Sequence, residues 1–275
     1  MPVLHALGRA LAPLYRLTVR TQMREARALM RRAFGPARPA AELDRLCRRF
    51  VGNALRRTLD DLLLARPDAE ARLRPPVIAG LEHLQCALAA GRGVLLVGGH
   101  FHANRVGKLH LRAMGFPVMS VRNRRPADHW MGRFGEAFLQ PRYIDFLGGV
   151  IRDETDARDP QCTLKILRRL RAGGLVNILI DAYYATHTIP QPFLNGTRPF
   201  ATGLLEIVRL SGCAVVPMLC TGSLAGCRIA FGEPLRLTPA PDRAAFAAAN
   251  LPLLVRVLEN QIMQAPEEWD LWARL

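Results

Sequence analysis

The chain has 275 residues, half of them apolar, with 38 lysines and arginines against 23 acidic side chains and a formal charge of +15. That length and composition allow a full buried core, in one large domain or two small ones, and one unit is favoured. Only Lys108 and Lys165 are lysines, so the basic charge is almost entirely arginine, and no zinc-finger spacing, aromatic ribonucleoprotein motif or basic zipper accompanies it, which speaks against nucleic acid.

The elements follow in chain order. The first twenty residues carry an apolar face through Val3, Leu4, Leu7, Leu11, Leu14, Leu17 and Val19, broken by Arg9, Arg16, Arg20 and Pro13. That stretch is too short and too charged to span a bilayer and lacks the small-residue cleavage site of a signal peptide; it reads as a helix lying in a membrane interface. Residues 1–60 hold thirteen arginines against Glu25, Glu42, Asp44 and Asp60, a basic amphipathic region suited to an anionic membrane surface or an acidic protein partner. Residues 1–90 read as a helical lead-in, with apolar positions such as Leu43, Leu46, Phe50, Leu55 and Leu59 at helical spacing and prolines at 36, 39, 75 and 76. Residues 91–275 read as the main domain, with strands at 94–97, 118–121, 176–180, 214–219 and 228–231. Helices are expected at 103–114, 128–140, 160–172, 200–210 and 242–264. Strands separated by helices predict an α/β fold: a mainly parallel central sheet with helices on both faces, preceded by the helical amino-terminal region.

The most informative stretch is Gly93-Val-Leu-Leu-Val-Gly-Gly-His100-Phe-His-Ala-Asn-Arg105. An apolar strand ends in two glycines and puts His100 and His102 on the turn into a helix, at the edge where open α/β sheets bind ligands. Some eighty residues later Gly173-Gly-Leu-Val-Asn-Ile-Leu-Ile-Asp181 ends a second strand on a carboxylate. If those strands are neighbours, His100 and Asp181 emerge at the same edge and share a pocket; a strand-end cap or ion pair is the plainer reading of Asp181. The loop through Pro190, Pro192, Asn195 and Gly196 to Thr202 leads into a helix and can offer backbone amides to an oxygen anion.

Several machines are excluded. Gly107-Lys108 has His102 where a Walker loop needs its first glycine, and Leu109 replaces the magnesium-binding hydroxyl. None of Ser120, Ser211 and Ser223 lies in a Gly-x-Ser-x-Gly elbow, and no Gly-x-Gly-x-x-Gly follows the first strand. The cysteines at 47, 86, 162, 213, 220 and 227 form no Cys-x-x-Cys pair and read as reduced, buried apolar residues, with no metal site.

Residues 93–105, 118–126, 148–152, 173–203 and 212–217 and the ending Ala265-Pro-Glu-Glu-Trp-Asp-Leu-Trp272 together resemble the bacterial lipid A biosynthesis acyltransferases of the lysophospholipid acyltransferase superfamily. The resemblance covers nearly the whole chain. It implies transfer of a fatty acyl group from an acyl carrier protein or coenzyme A thioester to a hydroxyl or amine of a lipid acceptor. The expected setting is peripheral, at the cytoplasmic face of the bacterial inner membrane, with an acidic acyl carrier protein and anionic lipid as partners and no metal or bound cofactor. The family motif is a histidine, four residues, then an acid, and here His100 matches while Arg105 stands at the acidic position. An arginine there opposes formation of the imidazolium. Three repairs are open: Asn104 orients the ring as a neutral partner, Asp181 supplies the charge, or His102 is the base. The resemblance puts an arginine after the second strand, where Arg122, Arg124 and Arg125 stand, and Arg152 follows the Gly148-Gly149 segment; with Arg105 these suit a phosphate on the lipid or on the pantetheine arm. The missing acid also fits a catalytically silent relative that binds acyl chains or a carrier protein, and a thioester hydrolase is the third alternative.

Overall fold

The structure, a computed structural model, describes residues 20–64, 73–122, 154–157, 159–182 and 185–273. Two helices, α1 (Arg20–Phe34) and α2 (Ala40–Leu64), lead into strand β1 (Val77–Ala79) and helix α3 (Leu81–Ala89). Then come β2 (Val94–Gly98), α4 (Asn104–Ala113), β3 (Val118–Arg122), β4 (Glu154–Asp156), α5 (Cys162–Arg171) and β5 (Leu175–Leu179). A hairpin of β6 (Thr188–Phe193) and β7 (Gly196–Ala201) precedes α6 (Gly203–Ser211), β8 (Ala214–Ser223), β9 (Gly226–Phe231) and α7 (Arg243–Gln264).

The main sheet has the order β1-β9-β8-β2-β5-β3-β4, parallel throughout except where β8 meets β9. This is the expected α/β class, with helices on both faces. In β2 every residue is buried, and the two-residue period sorts them between two cores. Leu95 and Val97 join a cluster with α1, α2, α5, α6 and α7, whereas Val94 and Leu96 face α3 and α4. Met30, Phe34, Leu43 and Phe50 of the first two helices belong to the same apolar cluster as Val97, Leu258, Trp269 and Trp272. The lead-in therefore packs directly onto the sheet's helical layer.

Two sequence expectations change. The helical reading of 1–90 is interrupted by β1, a three-residue strand that the Pro75-Pro76 pair disguised and that pairs with β9 at the sheet edge. The stretch 188–201 is a two-stranded ribbon, not a loop, and its prolines are tolerated because a two-stranded ribbon leaves half of each strand's amides unpaired. Leu194 and Asn195 turn it with φ of 48° and 58°. Asp and Asn accept that left-handed region readily and leucine does not, and here the Leu194 amide is held by Glu259 at 2.8 Å. The expected helix at 128–140 and the amino-terminal interfacial helix lie outside the described residues.

Candidate active site

Strands β2 and β5 lie side by side and parallel, in register from Val94 opposite Leu175 to Gly98 opposite Leu179. Both chains therefore leave the sheet at one edge, and His100 and Asp181 each sit two residues past their strand. Nδ1 of His100 lies 2.6 Å from Oδ1 of Asp181, and the His100 amide donates to Oδ2 at 2.8 Å. Asp181 is fully buried, while the His100 side chain is 37% exposed. Because Nδ1 is turned to the carboxylate, the ring's other nitrogen, Nε2, is left as the basic atom.

The two glycines are required by this approach. A Cβ on Gly98 would fall 2.4 Å from the Met218 carbonyl oxygen; one on Gly99 would fall 2.5 Å from the Leu258 side chain and 2.9 Å from Asp181 Oδ2. Burial alone would raise the Asp181 carboxyl. The charge of the His100 ring, the hydrogen bonds from that ring and its amide, and the bond from Trp269 outweigh burial and hold the group below the usual carboxylate range.

The turn is braced by the chain's closing stretch. Phe101 and Trp269 form an antiparallel bridge, Asp270 donates its amide to the His100 carbonyl at 2.7 Å, and His102 donates its amide to the Glu268 carbonyl at 2.9 Å. Trp269 Nε1 donates to Asp181 Oδ2 at 2.7 Å. Trp269 and Trp272 are both fully buried, edge to face with centroids 4.9 Å apart, and Trp272 in turn meets Phe34 of α1. From α2, Asn53 holds the Glu267 carbonyl, Arg56 bonds Glu268 and Arg57 bonds Asp270. On the other side Arg198 of β7 donates to the Asp181 carbonyl at 2.7 Å, its guanidinium lying over the Phe193 and Phe200 rings.

The sequence candidates separate accordingly. Asn104 does not orient the His100 ring: it is buried and its amide nitrogen donates to the Gly99 carbonyl at 2.6 Å, while the ring's inner nitrogen faces Asp181. His102 is not a reachable base. Its side chain is 1% exposed, its Nε2 is 3.2 Å from Asp270 Oδ1, its Nδ1 is 4.0 Å from Glu268 Oε2, and its ring stacks on Phe50. Arg105 stands half-buried in the first turn of α4, and Arg122 ends β3 at the same sheet edge as His100 and Asp181. Arg125 and Arg152 lie outside the described residues. The turn into α6 does not offer its Thr202 amide to an anion, because that N–H is bound to the His187 carbonyl.

Of the cysteines, Cys86 is exposed and the other five are buried; burial pushes the Cys47 thiol up to about 11 and Cys227 to about 12, far from reactive. Among the described residues no group of three His, Cys, Asp or Glu side chains could hold a metal ion.

Sequence reasoning passed over Trp269 and Arg198. The Pro-Glu-Glu-Trp stretch was visible only as a family ending, and nothing local ties an indole to a carboxylate 88 residues away. A basic residue inside a proline-rich ribbon gave no signal at all.

The profile of the bacterial lipid A biosynthesis acyltransferases matches residues 1–274. Among solved structures, the chain is similar to the 1-acyl-sn-glycerophosphate (LPA) acyltransferase PlsC from Thermotoga maritima, at 12% identity and a TM-score of 0.39, over 91% of this chain and 96% of that one. No curated protein matches it.

Proposed function

The chain belongs to the bacterial lipid A biosynthesis acyltransferases, enzymes acting on lipids, and from that premise we propose that it moves a fatty acyl group from a thioester of acyl carrier protein or coenzyme A to a hydroxyl or amine of a lipid acceptor, with His100 as general base. The observation that carries this reading is the contact of His100 Nδ1 with the buried Asp181 at 2.6 Å, beneath a ring that remains 37% exposed. The carboxylate fixes the ring's tautomer and stabilises its cation, which is what the acid of the family motif would do from the position occupied by Arg105.

The proton balance is simple. Nε2 takes the proton of the acceptor hydroxyl as its oxygen bonds to the thioester carbonyl carbon. When the tetrahedral intermediate collapses, the carbon–sulfur bond breaks and the leaving sulfur takes the proton from the imidazolium. A base placed in this way supplies about 10²–10⁴ in rate. Arg105, Arg122, Arg125 and Arg152 are assigned to binding phosphate on the lipid or on the pantetheine arm.

The exposed arginines of the first two helices, among them Arg20, Arg24, Arg31, Arg45 and Arg48, favour an acidic carrier protein and anionic lipid as partners. Peripheral attachment at the cytoplasmic face of the inner membrane fits that charge. None of the described helices is long and apolar enough to cross a membrane.

The test is incubation of the full chain with acyl carrier thioester or acyl coenzyme A and extracted bacterial lipid, followed by mass spectrometry. Acylated lipid with stoichiometric free thiol is expected. Free fatty acid in place of acylated lipid would make the protein a thioester hydrolase, and thioester binding without product would make it a silent relative.

A further inference from the structure

We propose that Trp269 is a positioning residue for the His100–Asp181 pair: its indole N–H holds one carboxylate oxygen so that the other faces the imidazole. The proposal rests on the reading of His100 as base.

An aspartate carboxylate turns easily about its last torsion, which is broad and two-fold. Two donors meet at Oδ2, the His100 amide at 2.8 Å and Trp269 Nε1 at 2.7 Å, which leaves Oδ1 to the ring at 2.6 Å. The amide belongs to the same residue as the ring and moves with it. Of these two donors to Oδ2, only the indole stands outside the His100 turn, so it is the one that fixes the carboxylate plane against the sheet.

The indole itself has no freedom. It is fully buried, edge to face with Trp272 at 4.9 Å and with Phe193 at 6.0 Å, and its backbone is bridged to Phe101. Full burial also keeps it from touching acceptor or thioester. The indole N–H acts on turnover through Asp181, whereas the ring and backbone of Trp269 also brace the His100 turn.

Trp269→Phe keeps most of the ring and removes the donor. The expected result is a kcat about tenfold lower with KM unchanged, the size of one hydrogen bond to a charged group. The short contact to Asp181 should give His100 Hδ1 a far-downfield proton resonance in the wild type, and in the variant that resonance is expected to move upfield and broaden. Trp272→Phe is the matched control: an equally buried indole is shortened, but its N–H serves the Pro266 carbonyl, and the His100 resonance should stay in place. If Trp269→Phe does not fold, benzothienylalanine placed at 269 preserves the ring shape without the N–H and should give the same two effects. Unchanged kcat and resonance on losing the N–H would overturn the proposal, as would equal effects of both tryptophan substitutions, which would mean packing alone. Wild-type protein with no transferase activity, whose His100 resonance still responds to Trp269 alone, would overturn the proposed function and leave the positioning contact supported.

Discussion

His100 and His102 are two residues apart and both face carboxylates, yet their surroundings are opposite. The His100 ring rests on one buried carboxylate and is 37% exposed. The His102 ring is 1% exposed, wedged between Asp270 and Glu268, which are themselves paired with Arg57 and Arg56. Burial pushes the Glu268 carboxyl up, partly offset by Arg56 and His102. A histidine beside a carboxylate is thus a common arrangement with two uses. Where the second nitrogen reaches solvent, the pair can move a proton; where it does not, the pair ties α2 to the chain's closing stretch. Pairing orients the ring, and access to its second nitrogen decides whether it can meet a substrate.

The largest effect should come from removing the accessible member. His100→Gln keeps an amide able to donate to Asp181 but has no basic nitrogen, so initial rates of acyl transfer should fall by about 10²–10⁴ while the thermal midpoint stays within a few degrees. A midpoint that collapsed instead would erase the contrast, since His100 would then be structural as well.

Asp181→Asn should follow, lowering the rate by about 10²-fold or more, because the ring loses the charge that stabilises its cation. Acid titration of stability sharpens the same point. The folded Asp181 carboxyl lies below its ordinary value of 3.8. Its contribution to stability is therefore complete above that value and is lost as pH falls through the folded one. Urea midpoints for wild type should drop between pH 5 and pH 2 more steeply than for the asparagine variant, and parallel slopes would contradict the ion pair.

The smallest effect on rate belongs to the buried member. His102→Ala takes a partner from the buried Glu268 and the half-buried Asp270 and leaves a gap beside Phe50, which should cost about 2–4 kcal/mol in urea unfolding. KM should not move, and kcat should change only a few-fold. A loss of rate as large as that of His100→Gln would merge the two histidines into one machine.

The sequence made the central strands legible because β2, β3, β5 and β8 are short runs rich in apolar residues, and a parallel sheet buries such runs on both faces. It also pointed to His100 and Asp181 as the ends of two strands, and adjacency of those strands was the missing fact. Periodicity could not say which of His100 and His102 faces outward, because residues on a turn have no period. Asn104 was a reasonable ring partner on spacing, but the tight turn at Gly99 needs its amide. The β6–β7 ribbon hid behind Pro190, Pro192 and Pro199, and β1 behind its own brevity.

The contacts that make the site are long in sequence: 81 residues from His100 to Asp181, 88 from Asp181 to Trp269, and 168 from His102 to Asp270. Contacts of such separation bear a large loop-closure cost and form slowly. A chain that has made only its helices and the β6–β7 ribbon holds neither the His100–Asp181 nor the His102–Asp270 pair, so the proposed base takes shape only with the tertiary docking that joins these distant segments.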